Sequence, residues 1–219
     1  NMLYDYRGWR HVLAGRLERL AVGGAARILT ASEPMAEDLG RRYPGAKDKI
    51  ICITNGYDPA DFPPIEPPAD DGCFDVTLLG QCYDDLTVEL RAIRQCLGVD
   101  RRFAGAFRFH WVGHDPAFEP IVRAMGLSHH VRLHGYLPHE QALALAGRSD
   151  ALYFPMRTTP DADYVHGAKI FEYLAINRPV LGTASARSAA RRVLQQEGNA
   201  RLGATRNRDA VGGMLRQAF

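Results

Sequence analysis

Apolar runs and helix-like stripes alternate along the chain. Short runs such as FDVTLLG, FRFHWVG and ALYFP are almost continuously apolar, which is typical of strands buried on both faces. The segments between them repeat apolar residues at helical spacing, as in the stripe Leu86, Leu90, Ile93 and Leu97. Strands of this kind, separated by helices, predict a parallel sheet covered on both faces. The expected fold is a doubly wound, Rossmann-like α/β domain.

A proline-rich stretch interrupts the alternation. The segment PADFPPIEPPADD, residues 59–71, holds five prolines in thirteen residues, so it cannot continue a helix or a central strand. We therefore expect an extended linker at residues 63–71. It separates a first segment, residues 1–62, from a domain at residues 72–219.

The first segment shows the same alternation on a smaller scale. A helix is predicted by the stripe of Leu13, Leu17, Leu20 and Ala21, and strands are predicted by RILTAS and KIICIT. The helix between these strands can be capped by Ser32 and started by Pro34.

Composition narrows the class of protein. The chain is 46% hydrophobic and 24% charged, with a formal net charge of +2, which gives no argument for a nucleic-acid partner. No apolar run approaches the ~20 residues that a membrane-spanning helix needs. The four cysteines show no CxxC or metal-ligand spacing, so we expect reduced thiols in a cytoplasmic protein. Seven arginines between residues 187 and 216 indicate either solvated helix faces or a patch for an anionic partner or for peripheral contact with a membrane.

Residues at the carboxyl ends of the strands are the candidates for binding. Ligands of open parallel sheets bind at this edge, where helix N-termini present unpaired N–H groups. Glycine is expected directly after four of the strands, at Gly80, Gly113, Gly135 and Gly182. Of these turns, Gly80 with Gln81 and Gly135 with Tyr136 are taken as ligand-binding candidates. Neither GxGxxG nor GxxxxGK[ST] occurs after the first strand of the domain, which argues against a dinucleotide oxidoreductase and a P-loop NTPase.

The segment YVHGAKIFEYLAINRPV, residues 164–180, carries the most specific chemistry. A helix is expected from 168 to 176, so the N–H groups of Gly167, Ala168 and Lys169 should be available to an anion such as a diphosphate. Lys169 and Glu172 share one face of this helix. Glu172 is placed to accept from a pair of hydroxyl groups, as on a ribose, although a surface ion pair with Lys169 would explain the spacing as well.

Four stretches resemble one family, in register. HGAKIFEYLAINRPVLG is similar to the retaining, family 4-type glycosyltransferases of GT-B fold, the glycosyl transferases group 1. ARILTASEPMAEDL, KIICITNGYDPADFPP and the run from FRFHWVGHDP to ALYFP resemble the same family, so the resemblance covers about residues 26–219. It implies the C-terminal, nucleotide-sugar-binding half of such an enzyme, with Glu172 on the ribose and Gly167 on the diphosphate. His166, which precedes those amides, is kept as a further donor-binding candidate.

Two departures from the family pattern leave alternatives open. Tyr164 stands where the family has a first glutamate that contacts the transferred sugar. Either the adjacent Asp163 replaces it, or the chain resembles a subgroup whose motif reads K-x-F-E-Y with no leading glutamate. The arginine and lysine that many members carry after the first strand are also missing. Lys169, Arg157 or Arg91 could supply the cation instead. Lys169 and Asp163 are the predicted catalytic residues.

The resemblance implies a hexosyltransferase-type enzyme that needs no cofactor or metal beyond its nucleotide-sugar donor. The histidines form no HExxH motif, and no two of them lie four positions apart on a predicted helix, in keeping with no metal site. Residues 1–62 are expected to be the tail end of an N-terminal, Rossmann-like domain that binds a glycan or lipid-linked acceptor, so this chain alone is expected to bind donor and transfer nothing. Two other functions stay open, a non-catalytic nucleotide-sugar-binding module and a nucleotide-sugar epimerase of the same fold.

Overall fold

The computed structural model describes residues 8–81, 86–156, 160–196, 199–203 and 206–219. The helices in this part of the chain are α1 Trp9–Gly24, α2 Glu33–Arg42, α3 Thr87–Val99, α4 Arg101–Ala106, α5 Phe118–Ala124, α6 His139–Gly147, α7 Lys169–Ile176, α8 Ala189–Gln196 and α9 Arg208–Ala218. The strands are β1 Ile28–Thr30, β2 Ile50–Cys52, β3 Phe74–Leu79, β4 Phe107–Val112, β5 Val131–Leu133, β6 Ala151–Pro155, β7 Val180–Thr183 and β8 Ala200–Gly203. No helix in the described part is long and apolar enough to cross a membrane.

Six strands form one parallel sheet in the order β5-β4-β3-β6-β7-β8. Counted from β3, this is the order 3-2-1-4-5-6 of doubly wound nucleotide-binding folds. The prediction of a doubly wound, Rossmann-like domain is confirmed. Strand order reverses between β3 and β6, which makes that pair the topological switch point.

Successive residues of each strand point to opposite faces of the sheet. Both faces therefore carry apolar side chains, and helices cover both of them. Leu78 belongs to a core with residues of α3, α5 and α9, whereas Leu79 belongs to a second core with residues of α6, α7 and α8. Val76 and Leu152 are likewise buried on opposite faces. Burial on both faces explains why the strands are almost continuously apolar in sequence.

The first segment forms a small unit beside the large sheet. β1 and β2 pair in parallel, and α2 between them is capped by Ser32, whose Oγ accepts from the Met35 N–H at 3.3 Å. The predicted cap is confirmed. The apolar stripe of α1 is not buried: Leu20 is 73% exposed, and Leu13 and Leu17 are exposed as well.

The proline-rich linker lies against the domain surface. Ile65 packs on the second core, and a Cβ on Gly147 would come within 3.1 Å of its Cγ2. The guanidinium of Arg178 donates to the carbonyls of Gly147 at 2.9 Å and Glu66 at 3.0 Å. The linker is therefore held in place by side chains of the domain.

Two of the expected glycine positions need correction. Gly182 lies within β7 and not after it, and a Cβ there would come 2.1 Å from the carbonyl oxygen of Phe154 on β6. Its glycine is required by the close approach of two strands, which has no signature in sequence. Gly135 follows β5 after one intervening residue, His134, and adopts φ +68°.

A polar network joins β3, β4 and the end of β5. Arg108 donates to both carboxylate oxygens of Asp75 at 2.5 Å. Burial acts to raise the pKa of Asp75, but hydrogen bonds from His110 and Arg108 outweigh it and lower that pKa to about 2. The ionised Asp75 can only accept, so His110 donates to it through Nε2 at 2.9 Å, and the other ring nitrogen of His110, Nδ1, lies within hydrogen-bond distance of His134 Nε2, at 3.0 Å. Burial, together with the charges of His110 and Arg132, lowers the pKa of His134.

This lowered pKa predicts a loss of stability in mild acid. The unfolded chain binds a proton at His134 more readily than the folded chain, so the free energy of unfolding should fall as the pH drops below about 6.5. His134→Gln keeps a side-chain N–H that can donate to His110 but does not titrate, and it should remove this part of the pH dependence. Urea unfolding at roughly pH 7.5 and pH 5.5 measures the effect. The exposed His129 gives the control His129→Gln, and an equal pH dependence in both variants would show the interpretation to be wrong.

Candidate functional site

The strands β3 and β6 diverge at the switch point. Val76 pairs with Ala151 and Thr77 with Leu152. Among the described residues, β3 and β6 form no further pair beyond Thr77. Ligands of doubly wound folds bind in the crevice at the carboxyl ends of two such strands. The site is therefore sought around Leu79 and the residues that α7 brings to it.

Tyr173 of α7 bridges the two diverging strands. Its hydroxyl accepts from the Leu79 N–H at 2.9 Å and donates to the Tyr153 carbonyl at 3.1 Å, and the residue is fully buried. The hydroxyl thus links the backbones of β3 and β6 where the sheet opens. Sequence reasoning missed Tyr173, although its position four residues after Lys169 places both on one face of α7.

Lys169 lies at the carboxyl end of β3. Its Nζ donates to the carbonyl of Leu79 at 2.6 Å and to the carbonyl of Gln81 at 3.0 Å. Gly80 between them has φ +75°, and a Cβ there would lie 3.1 Å from Nζ. The glycine therefore makes room for the ammonium group, and the structure places a cation at the switch point.

Trp111 fixes the same turn from the side of β4. Its indole Nε1–H donates to the Gly80 carbonyl at 2.9 Å, and the Gly80 N–H donates to the Val112 carbonyl at 2.6 Å. A Cβ on Gly113 would come 2.4 Å from that indole nitrogen. Two glycines in consecutive strand-to-helix turns thus allow close packing at this edge of the sheet.

The N-terminus of α7 faces open space. Gly167 has no heavy atom within 4 Å of where a Cβ would lie, and no side chain caps the helix. The N–H groups of Gly167 and Ala168 have no hydrogen-bond acceptor among the described residues. Such groups, together with the helix dipole, favour an anion. The predicted diphosphate amides and the Lys169 ammonium are therefore brought to the same end of one helix.

Glu172 is paired with a histidine. His139, at the start of α6, lies with its Nε2 3.0 Å from Glu172 Oε1, and both side chains are partly exposed. The surface ion pair between Glu172 and Lys169 is absent from the described structure, since the Lys169 ammonium donates to the carbonyls of Leu79 and Gln81. Sequence reasoning treated His139 as an ordinary histidine, because nothing in the sequence shows that α6 and α7 place it beside Glu172.

The two residues at the family's first glutamate position make other contacts. Asp163 accepts a short hydrogen bond from the Ser185 hydroxyl. The Tyr164 carbonyl accepts from Ser32 Oγ at 2.5 Å, which ties this loop to the first segment. A cleft of about 820 Å³ adjoins both residues and is also lined by α2 and by Arg187.

The remaining candidates are spread around the site. Tyr136 is 89% exposed, and Arg91 is exposed on α3 with no contact to the crevice in the described structure. His166 is buried, with its ring 5.1 Å from that of Phe171. Arg157 lies outside the described residues.

A parallel sheet of this order, with a cation and free helix amides at its switch point, defines a Rossmann-like domain suited to a phosphorylated ligand. The model of the family glycosyl transferases group 1 matches residues 75–217, and the chain belongs to this family. The comparison with curated protein sequences gives no match.

Solved structures of similar fold include WaaG, a glycosyltransferase involved in lipopolysaccharide biosynthesis, at 14% identity and a TM-score of 0.68. Sucrose-phosphate synthase from Thermosynechococcus elongatus follows at 16% identity and a TM-score of 0.64. A mutant of S. aureus TarM in complex with UDP matches at 14% identity and a TM-score of 0.63. The matches cover 98%, 99% and 90% of this chain but 61%, 55% and 38% of the other chains, so the chain spans only part of these structures.

Proposed function

We propose that the chain is the donor-binding, C-terminal part of a retaining GT-B glycosyltransferase. The enzyme would transfer a hexosyl group from a nucleotide diphosphate sugar to a glycan or lipid-linked acceptor, without a metal, in polysaccharide or cell-envelope synthesis at the cytoplasmic face of a membrane. The observation that carries the proposal is the position of the Lys169 ammonium, at the switch point and at the N-terminus of α7.

The chemistry follows from the charge that develops on the leaving diphosphate. Fixed donors placed before the reaction stabilise such charge without reorganisation. The N–H groups of Gly167 and Ala168 and the ammonium of Lys169 supply these donors. Glu172 would accept from the ribose hydroxyls, with His139 holding its carboxylate in place. Asp163 would approach the transferred sugar from the loop after β6.

The acceptor is assigned to a further Rossmann-like domain that includes the first segment. The support is the apolar surface of that segment, where Leu20 of α1, Leu29 of β1 and Ile53 after β2 are exposed. Several large apolar side chains exposed on one small unit favour an interface.

A non-catalytic nucleotide-sugar-binding module is the second candidate. It is favoured by Tyr164 at the first glutamate position and by the engagement of Asp163 with Ser185. Both candidates require donor binding, and they differ in turnover. Release of free sugar or of product from a nucleotide sugar by the full-length protein supports the transferase, and binding without turnover supports the module.

Glu172→Ala tests the donor site. Loss of a charge-assisted hydrogen bond to a ribose should weaken UDP, ADP or GDP binding by roughly 10-fold. Isothermal titration calorimetry measures the Kd, with the exposed Glu140 of α6 providing the control Glu140→Ala. Unchanged affinity in Glu172→Ala would show that Glu172 does not bind the ribose. An absence of heat with every nucleotide and nucleotide sugar would contradict the proposed function.

A further inference from the structure

His166 is a buried polar side chain without a partner. It is 4% exposed, and neither Nδ1 nor Nε2 has a hydrogen-bond partner among the described residues. A neutral imidazole carries one donor and one acceptor, and burying both unsatisfied is costly. Its ring contact with Phe171 satisfies neither nitrogen. These atoms point to a polar group that binds at His166.

A cavity of about 190 Å³ adjoins this ring. It lies between the first segment and α8. The buried Ser32 and His166 line its inner side, and the exposed Thr54 and Gln196 line its solvent side. At ~30 Å³ for each water molecule, the volume corresponds to about six waters, which is room for a small ring with hydroxyl substituents.

The charges around the cavity compensate one another. Its charged lining residues are Glu33 and Arg192, whose side chains lie 3.6 Å apart. Arg192 also pairs with Glu37 at 2.8 Å. An anion would therefore meet an arginine that is already neutralised by two carboxylates. The cavity suits an uncharged ligand that forms hydrogen bonds.

The two nitrogens of one imidazole point in different directions, so a single hydroxyl group cannot satisfy both. A ligand with several hydroxyl groups can accept from one nitrogen and donate to the other. We propose that this cavity is a binding site for a neutral polyol of the size of one sugar ring, with His166 as its principal contact. The cavity is lined by residues of α2, β2 and α8 beside His166, and its lining includes neither Lys169 nor Gly167, so the proposal does not rest on the donor-binding function.

The test is an NMR titration of the full chain with glucose and, separately, with myo-inositol. We expect saturable shifts of the His166 ring nitrogens, at roughly millimolar Kd for so small a ligand. His166→Phe should abolish sugar binding, and His129→Phe, at an exposed turn, should leave it intact. No shift with either polyol would overturn the proposal, as would a shift caused only by inorganic phosphate. Addition of UDP reports the Lys169 crevice, so the two sites fail or succeed independently.

Cysteine alkylation supplies a second readout that does not depend on a substitution. Cys52 lines the cavity, whereas Cys73 is a free cysteine of similar partial exposure outside it. Glucose should slow the reaction of Cys52 with iodoacetamide and leave that of Cys73 unchanged. Equal rates for Cys52 with and without saturating polyol would contradict binding in the cavity.

Discussion

Replacing Lys169 with methionine is expected to weaken the binding of a nucleotide diphosphate by about 10- to 100-fold. The estimate follows from the loss of a charge-assisted hydrogen bond, worth about 1.5–3 kcal/mol. The affinity of the wild type should also fall more steeply with salt than that of the variant, because the variant lacks the cation at the switch point. Calorimetry at two ionic strengths measures both effects.

Two controls separate binding from folding in this experiment. The substitution leaves the carbonyls of Leu79 and Gln81 without the ammonium donor, so thermal unfolding must be compared as well. Lys49→Met removes a lysine that donates to the Gly23 carbonyl in the first segment and should not affect nucleotide binding. If Lys169→Met and the wild type bind the nucleotide with equal affinity, Lys169 only stabilises the end of β3 and does not contact the nucleotide.

Arg206→Ala should have the largest effect on stability. Arg206 pairs with both carboxylate oxygens of Glu89 at 2.8 Å, and Glu89 also accepts from the Tyr153 hydroxyl at 2.9 Å. The side chains are 10% and 2% exposed, so the substitution leaves a carboxylate buried without its cation. Breaking such a pair typically costs about 3–5 kcal/mol of unfolding free energy. Urea denaturation measures it.

A double substitution tests the cause. Glu89→Met with Arg206→Met removes both charges while filling the space, and it should recover most of the stability lost in Arg206→Ala. The exposed pair of Arg123 and Glu119 is the control, where Arg123→Ala should change little. If Arg206→Ala lowers the free energy of unfolding no more than Arg123→Ala does, then burial does not strengthen the contribution of the Arg206–Glu89 pair to stability.

The fold was predictable because the apolar periods of strands and helices differ. FDVTLLG and FRFHWVG are almost continuously apolar, which predicts strands buried on both faces. Such strands, separated by helices, predict a parallel sheet with helices on each side. Strand order could not be predicted from the sequence, since the pairing of β3 with β6 joins residues 75 positions apart, such as Val76 and Ala151. The same limit explains Gly182, whose close contact with Phe154 exists only once β6 and β7 are paired.

The site was predictable where it depends on one helix and not where it depends on two. The amides of Gly167 and Ala168 follow from the start of α7 alone. Lys169 was selected as a cation, but its contact with the end of β3 required the tertiary structure. Tyr173 and His139 were missed because their partners, Leu79 and Glu172, lie on other elements. His166 was expected beside the diphosphate, and its buried ring at a separate cavity is visible only in the folded chain.

The N-terminus of α7 is proposed to bind a nucleotide diphosphate. The most direct measurement is a ¹⁵N–¹H correlation spectrum of the chain titrated with UDP, ADP and GDP. We expect saturable shifts of the Gly167 and Ala168 amides with at least one nucleotide, and in Lys169→Met the same shifts should need about 10- to 100-fold more nucleotide. Binding that leaves both amides unmoved, or no binding by any of the three, would contradict it.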